Sequence, residues 1–199
     1  MHPIEDVFLK LISEYRKYIQ CGEPLKLGLL LNEDIASVTL THIAVKHRES
    51  ARLDLTIYKY MPMESPLSEE STLIVNFLTE HYHVPTVYLQ STQDGNAVTQ
   101  HALQATSRVN CDLMVLPTNQ EDRQQLIAQQ LMAGTPPGEL VDIKPMTAVL
   151  VGKETRFFAR PLWCTPDKTI HEYMAAEDLR TYQIVGFTNH QACIPSTHH

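Results

Sequence analysis

Apolar and polar positions follow two rhythms along the chain, and each rhythm predicts an element. From Ile4 to Gln20, residues Val7, Phe8, Leu11, Ile12, Tyr15, Tyr18 and Ile19 recur at helical spacing, and Gly22 and Pro24 end the run. Leu25 to Leu31 is a short, nearly continuous apolar stretch, as expected of a strand buried on both faces. The next segment has two readings. Val38 to Val45 is rich in β-branched residues, yet Ile35, Val38, His42 and Val45 also share one helical face behind Asp34, a candidate N-cap. The helix is preferred, because Arg52 to Met61 is the better strand and needs a crossover before it.

The same alternation continues. Pro62 to Pro66 is a loop, and Ser68 caps a helix whose inner face is Leu73, Ile74, Phe77, Leu78 and His81. Thr86 to Leu89 is a strand. Asp94 and Gly95 turn into a helix that aligns Val98, Ala102, Ala105 and Val109. Asp112 to Leu116 is a strand stopped by Pro117. A helix from about Glu121 to Ala133 turns Leu126, Ile127, Gln130 and Leu131 inward, and Gly134 to Gly138 breaks it. Thr147 to Val151 is the last strand of the series. Short apolar strands alternating with amphipathic helices predict a doubly wound α/β fold. Its mostly parallel sheet has five strands with helices on both faces. Ligands of such sheets sit beyond the carboxyl ends of the strands.

Three regions follow from this pattern: an N-terminal helix over residues 1–24 packed on the core, the α/β core over 25–152, and a C-terminal extension over 153–199. In the extension, Arg156 to Cys164 is aromatic and broken by Pro161. Thr165 and Pro166 start a helix that runs to about Leu179. Tyr182 to Phe187 has the composition of a strand, and a disordered end is expected.

Composition narrows the function. The chain has 199 residues, with 16 Lys and Arg against 23 Asp and Glu, a net charge of −7. That balance argues against a nucleic-acid partner, which needs a basic face. No apolar run reaches the ~18–20 residues of a membrane span. The first residues carry early acids and no apolar signal region, so a cytoplasmic location is expected. Cys21, Cys111, Cys164 and Cys193 form no CxxC pair, and Cys111 reads as a small buried residue. His81 and His83 lie at a helix end, where the negative dipole suits them, so no metal site is expected.

Three stretches carry a family resemblance: LKLGLLLNEDIASVTLTHIAVKHRESARLDLTIYKY, VPTVYLQSTQDGNAVTQHALQATSRVNCDLMVLPT and LMAGTPPGELVDIKPMTAVLVG. By pattern and element order, residues 25–152 resemble a universal stress protein domain, and the related cytoplasmic domain of some cation/proton antiporters. Nucleotide-binding members of that family carry a loop of the form G-x2-G-x9-G-[ST], whose glycines let backbone N–H groups approach phosphates. Here Gly134 and Thr135 match the final pair, while Gln124 and Glu121 stand where the two earlier glycines belong. The family acid after the first strand corresponds to Asp34. The resemblance therefore implies a degenerate ATP or AMP site built from Asp34, Gly134 and Thr135, and no resident cofactor.

No GxSxG elbow, Walker loop or GxGxxG is present. Adjacent acids such as Glu69/Glu70 and Glu121/Asp122 diverge on a helix and form no acid/base pair. The expectation is a regulatory or adaptor protein that is not an enzyme and works by protein contact, with a stress-response role implied by the resemblance. Phe157, Phe158, Leu162 and Trp163 are the candidate partner anchors; covering a sheet edge is their other reading. The alternatives are an adenine-nucleotide-binding stress protein, and a soluble regulatory subunit of a membrane complex such as an antiporter. A homodimer through the N-terminal helix is a further option.

Overall fold

The computed structural model describes residues 2–18, 24–32, 34–61, 69–90, 110–137, 140, 144–151 and 153–179. In chain order the elements are α1 (Pro3–Tyr18), β1 (Leu25–Leu31), α2 (Ile35–Lys46), β2 (Leu53–Met61), α3 (Glu69–Tyr82) and β3 (Thr86–Gln90). They continue with β4 (Leu113–Val115), α4 (Gln120–Met132), β5 (Met146–Val151), β6 (Glu154–Ala159) and α5 (Asp167–Ala176). The strands form one sheet in the order β3-β2-β1-β4-β6-β5. All neighbours are parallel except β5 and β6, which form an antiparallel hairpin. The α/β sheet predicted from sequence is present, with six strands instead of five. The sixth is β6, cut from the stretch expected to begin an aromatic extension. It enters the sheet between β4 and β5. The helix and strand expected near residues 95–109 and 182–187 lie outside the described residues.

The apolar runs are continuous because both faces of the sheet are covered. Alternate residues Leu25, Leu27, Leu29 and Leu31 of β1 join Leu53, Leu55 and Ile57 of β2 in the main core, together with α1, α2, α3 and α5. Leu30, Tyr58, Met114 and Phe158 join Cys111 and Leu116 in a smaller cluster. Helix α2 is buried nearly all round, from Ala36 to Thr41 and again at Ile43 and Ala44. A helix of that kind loses the amphipathic signature, so its sequence reads equally as a strand. Helix α1 packs through Ile4, Phe8, Leu11, Ile12 and Tyr15. Tyr15 Oη donates to the Asp112 carbonyl at 2.8 Å, and the Arg16 guanidinium donates to the carbonyls of Ala51 and Arg52. It thereby ties to the amino-terminal side of β2 and β4. His81, expected on the inner face of α3, is exposed and stacks on Phe77 with centroids 5.0 Å apart.

A buried carboxylate joins the helices. Glu5 on α1 is 3% exposed. Its carboxylate accepts from Lys46 Nζ, His47 Nε2 and Tyr173 Oη, each at 2.9 Å. Lys46 also donates to Glu177 at 2.8 Å, and Glu177 lies 3.3 Å from His42 Nε2. His42 Nδ1 is 2.8 Å from Tyr82 Oη. Burial alone would raise the Glu5 carboxyl, but the hydrogen bonds from Lys46, His47 and Tyr173 outweigh it and hold the group at about 2. An ionised carboxylate only accepts, so His47 Nε2 carries a proton. The Glu177 carboxyl is also lowered, chiefly by Lys46, so His42 Nε2 is the donor there. Burial lowers the His42 imidazole, leaving Nδ1 to accept from Tyr82.

Two predictions follow for stability. Because folding lowers the Glu5 carboxyl from 4.5 to about 2, its stabilisation is complete above pH ~4.5 and is lost as pH falls towards 2. That amounts to about 3 kcal/mol. Glu5→Gln should cost roughly 2–4 kcal/mol at pH 7 in urea unfolding and much less at pH 3; an equal cost at both pH values refutes the assignment. At Gly28, an added Cβ would meet Tyr58 Cε2 at 2.9 Å, Met114 Sδ at 3.0 Å and Cys111 Sγ at 3.1 Å. Gly28→Val should destabilise the protein by about 2 kcal/mol or more, with Gly28→Ala in between.

Candidate functional site

The strand order reverses at one place. β2 and β3 follow β1 outward in one direction, whereas β4 lies on the other flank of β1. A crevice at such a switch point, above the carboxyl ends of the strands, is where ligands of open α/β sheets bind. Here it is bounded by the turn from β1 into α2, carrying Asn32 and Asp34, and by the turn from β4 into α4, carrying Pro117, Thr118 and Asn119. The turn from β6 into α5 lies beside it, with a backbone hydrogen bond from Gln120 N–H to the Thr165 carbonyl at 3.1 Å.

Asp34 is the titratable group at the switch point. It caps α2, accepting from the Ser37 N–H at 2.7 Å, while Ser37 Oγ accepts from the Asn32 N–H at 2.9 Å. Burial raises its carboxyl above the ordinary aspartate range, and the nearby Asp122 carboxylate adds to the rise; the Ser37 hydrogen bonds act against it.

On the other wall, Asn119 and Asp122 form a reciprocal capping box at the start of α4. Asn119 also donates to Asp167 at 2.6 Å, and Glu121 accepts from the Asp167 N–H at 3.1 Å, so the starts of α4 and α5 are laced together. Burial raises the Asp167 carboxyl, with Glu121 and Asp122 adding to it. Behind them Trp163 receives the Arg123 guanidinium 5.0 Å from its centroid and that of Arg160 at 5.9 Å. Arg123 also lies 3.4 Å from the exposed Cys164 Sγ. Among the described residues no group of three or more His, Cys, Asp or Glu is placed to hold a metal ion.

The residues that the sequence grouped lie on different elements, Asp34 at the start of α2 and Gly134 and Thr135 just past α4. Gly134 and Thr135 form the C-terminal cap of α4, their N–H groups donating to Leu131 and Gln130 at 3.0 Å, with Gly134 at φ +84. They stand a whole helix, about 20 Å, from Asn119, at the end of α4 far from the turn out of β4. The loop match with the stress-protein pattern is a helix cap. Of the expected partner anchors, Phe158 and Leu162 are wholly buried, Trp163 is 5% exposed and Phe157 packs edge-on against Tyr15, so these side chains face the interior. The inward face expected for α4 is also corrected: α4 buries no residue, and Leu131 is 45% exposed. Sequence reasoning missed Asn119, although Asn119 followed three residues later by Asp122 has capping-box spacing. It also missed Lys59 and Glu5, whose meaning comes from burial.

No family model and no curated protein matches the chain. Solved structures do match its fold. A U34-tRNA thiolase from Methanococcus maripaludis, solved with its [4Fe-4S] cluster, aligns with TM-score 0.62 at 12% identity over 88% of this chain and 66% of its own. This chain therefore spans just under two thirds of that protein. Candida glabrata FMN adenylyltransferase, in complex with FMN and an ATP analogue, aligns with TM-score 0.55 at 10% identity over 86% of this chain and 55% of its own. An NH3-dependent NAD synthetase from Campylobacter jejuni gives TM-score 0.51 at 12% identity, over 94% of this chain and 77% of its own. A universal stress protein family member from Burkholderia pseudomallei covers 55% of this chain at TM-score 0.35, too loose a likeness to carry an argument. What the chain shares with the other three is the α/β fold. The expectation of a chain that is not an enzyme is overturned, because the neighbours that share its sheet are a thiolase, an adenylyltransferase and a synthetase. No helix among the described residues is long and apolar enough to cross a membrane.

The raised Asp34 carboxyl has a testable sign. A group whose folded value lies above its unfolded value of 3.8 contributes stability at low pH and loses it as pH rises through the folded value. Asp34→Asn keeps the cap and removes the partly desolvated charge, so its stability relative to wild type should increase from pH 3 to pH 7. Asp34→Ala should cost about 1 kcal/mol at pH 3 through loss of the cap. Urea midpoints at the two pH values decide; a pH-independent difference for Asp34→Asn contradicts the burial argument.

Proposed function

We propose that the protein is an enzyme that binds an adenine nucleotide in the crevice between the carboxyl ends of β1 and β4. The observation that carries the reading is Asp34: a half-buried carboxyl, its titration point raised by desolvation, seated at the switch point of a mostly parallel sheet. A fold neighbour that handles an ATP analogue adds support. In this reading Asp34 takes or gives a proton during group transfer at the nucleotide. Asn119, whose side chain already reaches across to Asp167, fixes the opposite wall. The carboxylates of Glu121, Asp122 and Asp167 make that wall acidic, so phosphate groups enter as a magnesium complex or point away from it.

The test is titration calorimetry with AMP and with ATP, each with and without magnesium. Binding in the micromolar range, about −8 kcal/mol, is expected for at least one of them. Asp34→Ala should weaken it about tenfold or more with the circular dichroism spectrum unchanged. No heat from either nucleotide at millimolar concentration overturns the reading.

A further inference from the structure

One side of β2 reads Leu53, Leu55, Ile57, Lys59. The first three are core residues, and the last is an ammonium only 6% exposed at the carboxyl end of the strand. Among the described residues the other buried charged side chains are Glu5 and Arg160. Glu5 belongs to the helix network. Arg160 donates to the Lys144 carbonyl and to Thr147 Oγ1, which anchors the end of β6 to the start of β5. Lys59 occupies a different position. Its Cα pairs with Leu31, the last residue of β1, and with Tyr88 of β3. Leu31 leads directly into the turn that carries Asn32 and Asp34.

We infer that Lys59 receives the phosphate of the nucleotide. The inference rests on the nucleotide reading above and gives that site a direction. The acids Glu121, Asp122 and Asp167 lie on the β4 and β6 side of β1, whereas Lys59 lies on the β2 side, one strand spacing (about 4.8 Å) from the end of β1. A phosphate approaching the strand ends is repelled from the first side and attracted to the second. The helix N-termini compete less for it, because Asp34 takes the Ser37 N–H of α2 and Asn119 takes the Asp122 N–H of α4. An ammonium has three donors, so a phosphate oxygen adds to the bonds that the protein supplies. The nucleoside then extends over β1 towards Asn119.

The experiment compares AMP with adenosine on wild type, Lys59→Met and Lys59→Arg by calorimetry, with thermal melts to confirm folding. Wild type should bind AMP at least about tenfold more tightly than adenosine. Lys59→Met should lose that preference while keeping adenosine affinity, and Lys59→Arg should retain most of it. If wild type binds the two ligands equally, or Lys59→Met weakens both alike or neither, Lys59 is not the phosphate residue and the nucleotide reading stands. If wild type binds neither ligand, the Lys59 proposal falls, and the nucleotide reading is left to the ATP titration above. Should Lys59→Met fail to fold, Lys59→Gln takes its place: loss of the AMP preference with adenosine affinity kept upholds the Lys59 contact, and full discrimination by Lys59→Gln overturns it.

Discussion

The Glu5 carboxylate is the constraint on which the arrangement of helices depends. Taking a charge out of water is expensive, and the cost is offset only where several donors converge on it. Lys46, His47 and Tyr173 supply those donors from two other helices, so α1, α2 and α5 have a joint geometry in which the charge is satisfied. Apolar packing alone would tolerate sliding of these helices along the sheet. The consequence reaches the strand ends. Helix α2 carries Lys46 and His47 at its last turn and Asp34 at its start; α5 carries Tyr173 and, just past its end, Glu177, with Asp167 at its start. Each helix therefore has one end in the ion network and the other at the candidate site.

Electrostatics at those starts runs against the simplest form of nucleotide binding. A helix N-terminus attracts anions through its free N–H groups and its dipole. Here the protein's own side chains take that role. Asp34 bonds the Ser37 N–H, and Asn119 bonds the Asp122 N–H. The result is turns without glycine and a wall of carboxylates on which Glu121 and Asp122 raise the titration point of Asp167. In the reading proposed above, a phosphate meets its charge outside the helix starts, at Lys59 of β2.

Much of the fold was legible because its cause is local. Leu27 to Leu31 is apolar at consecutive positions because both faces of β1 are covered there, and the same holds for Leu113, Met114 and Val115. Asp34 was legible as a cap because its bond to Ser37 spans three residues. The site as a whole was not. Asn119 and Asp167 meet across 48 positions, and Glu5 meets Tyr173 across 168. No spacing in the chain announces such contacts. Gly134 and Thr135 show the opposite failure: a short motif was present, but a helix end requires the same residues as a phosphate loop does, since both need a glycine with positive φ.

The β5–β6 hairpin explains why residues 153–164 resisted a sequence reading. A sixth strand that returns into the sheet must present one face to each core. In β6, Phe158 joins the smaller cluster with Leu30 and Met114, whereas Ala159 joins the larger one. The aromatic residues are thus a strand buried on both faces, written in residues that also suit an exposed anchor. Arg160, directly after the strand, is 1% exposed and bonds back to β5. That bond fixes where the chain leaves the sheet, and so where Trp163, Thr165 and the start of α5 stand beside Asn119. The hairpin is consequently part of the sheet that carries the site.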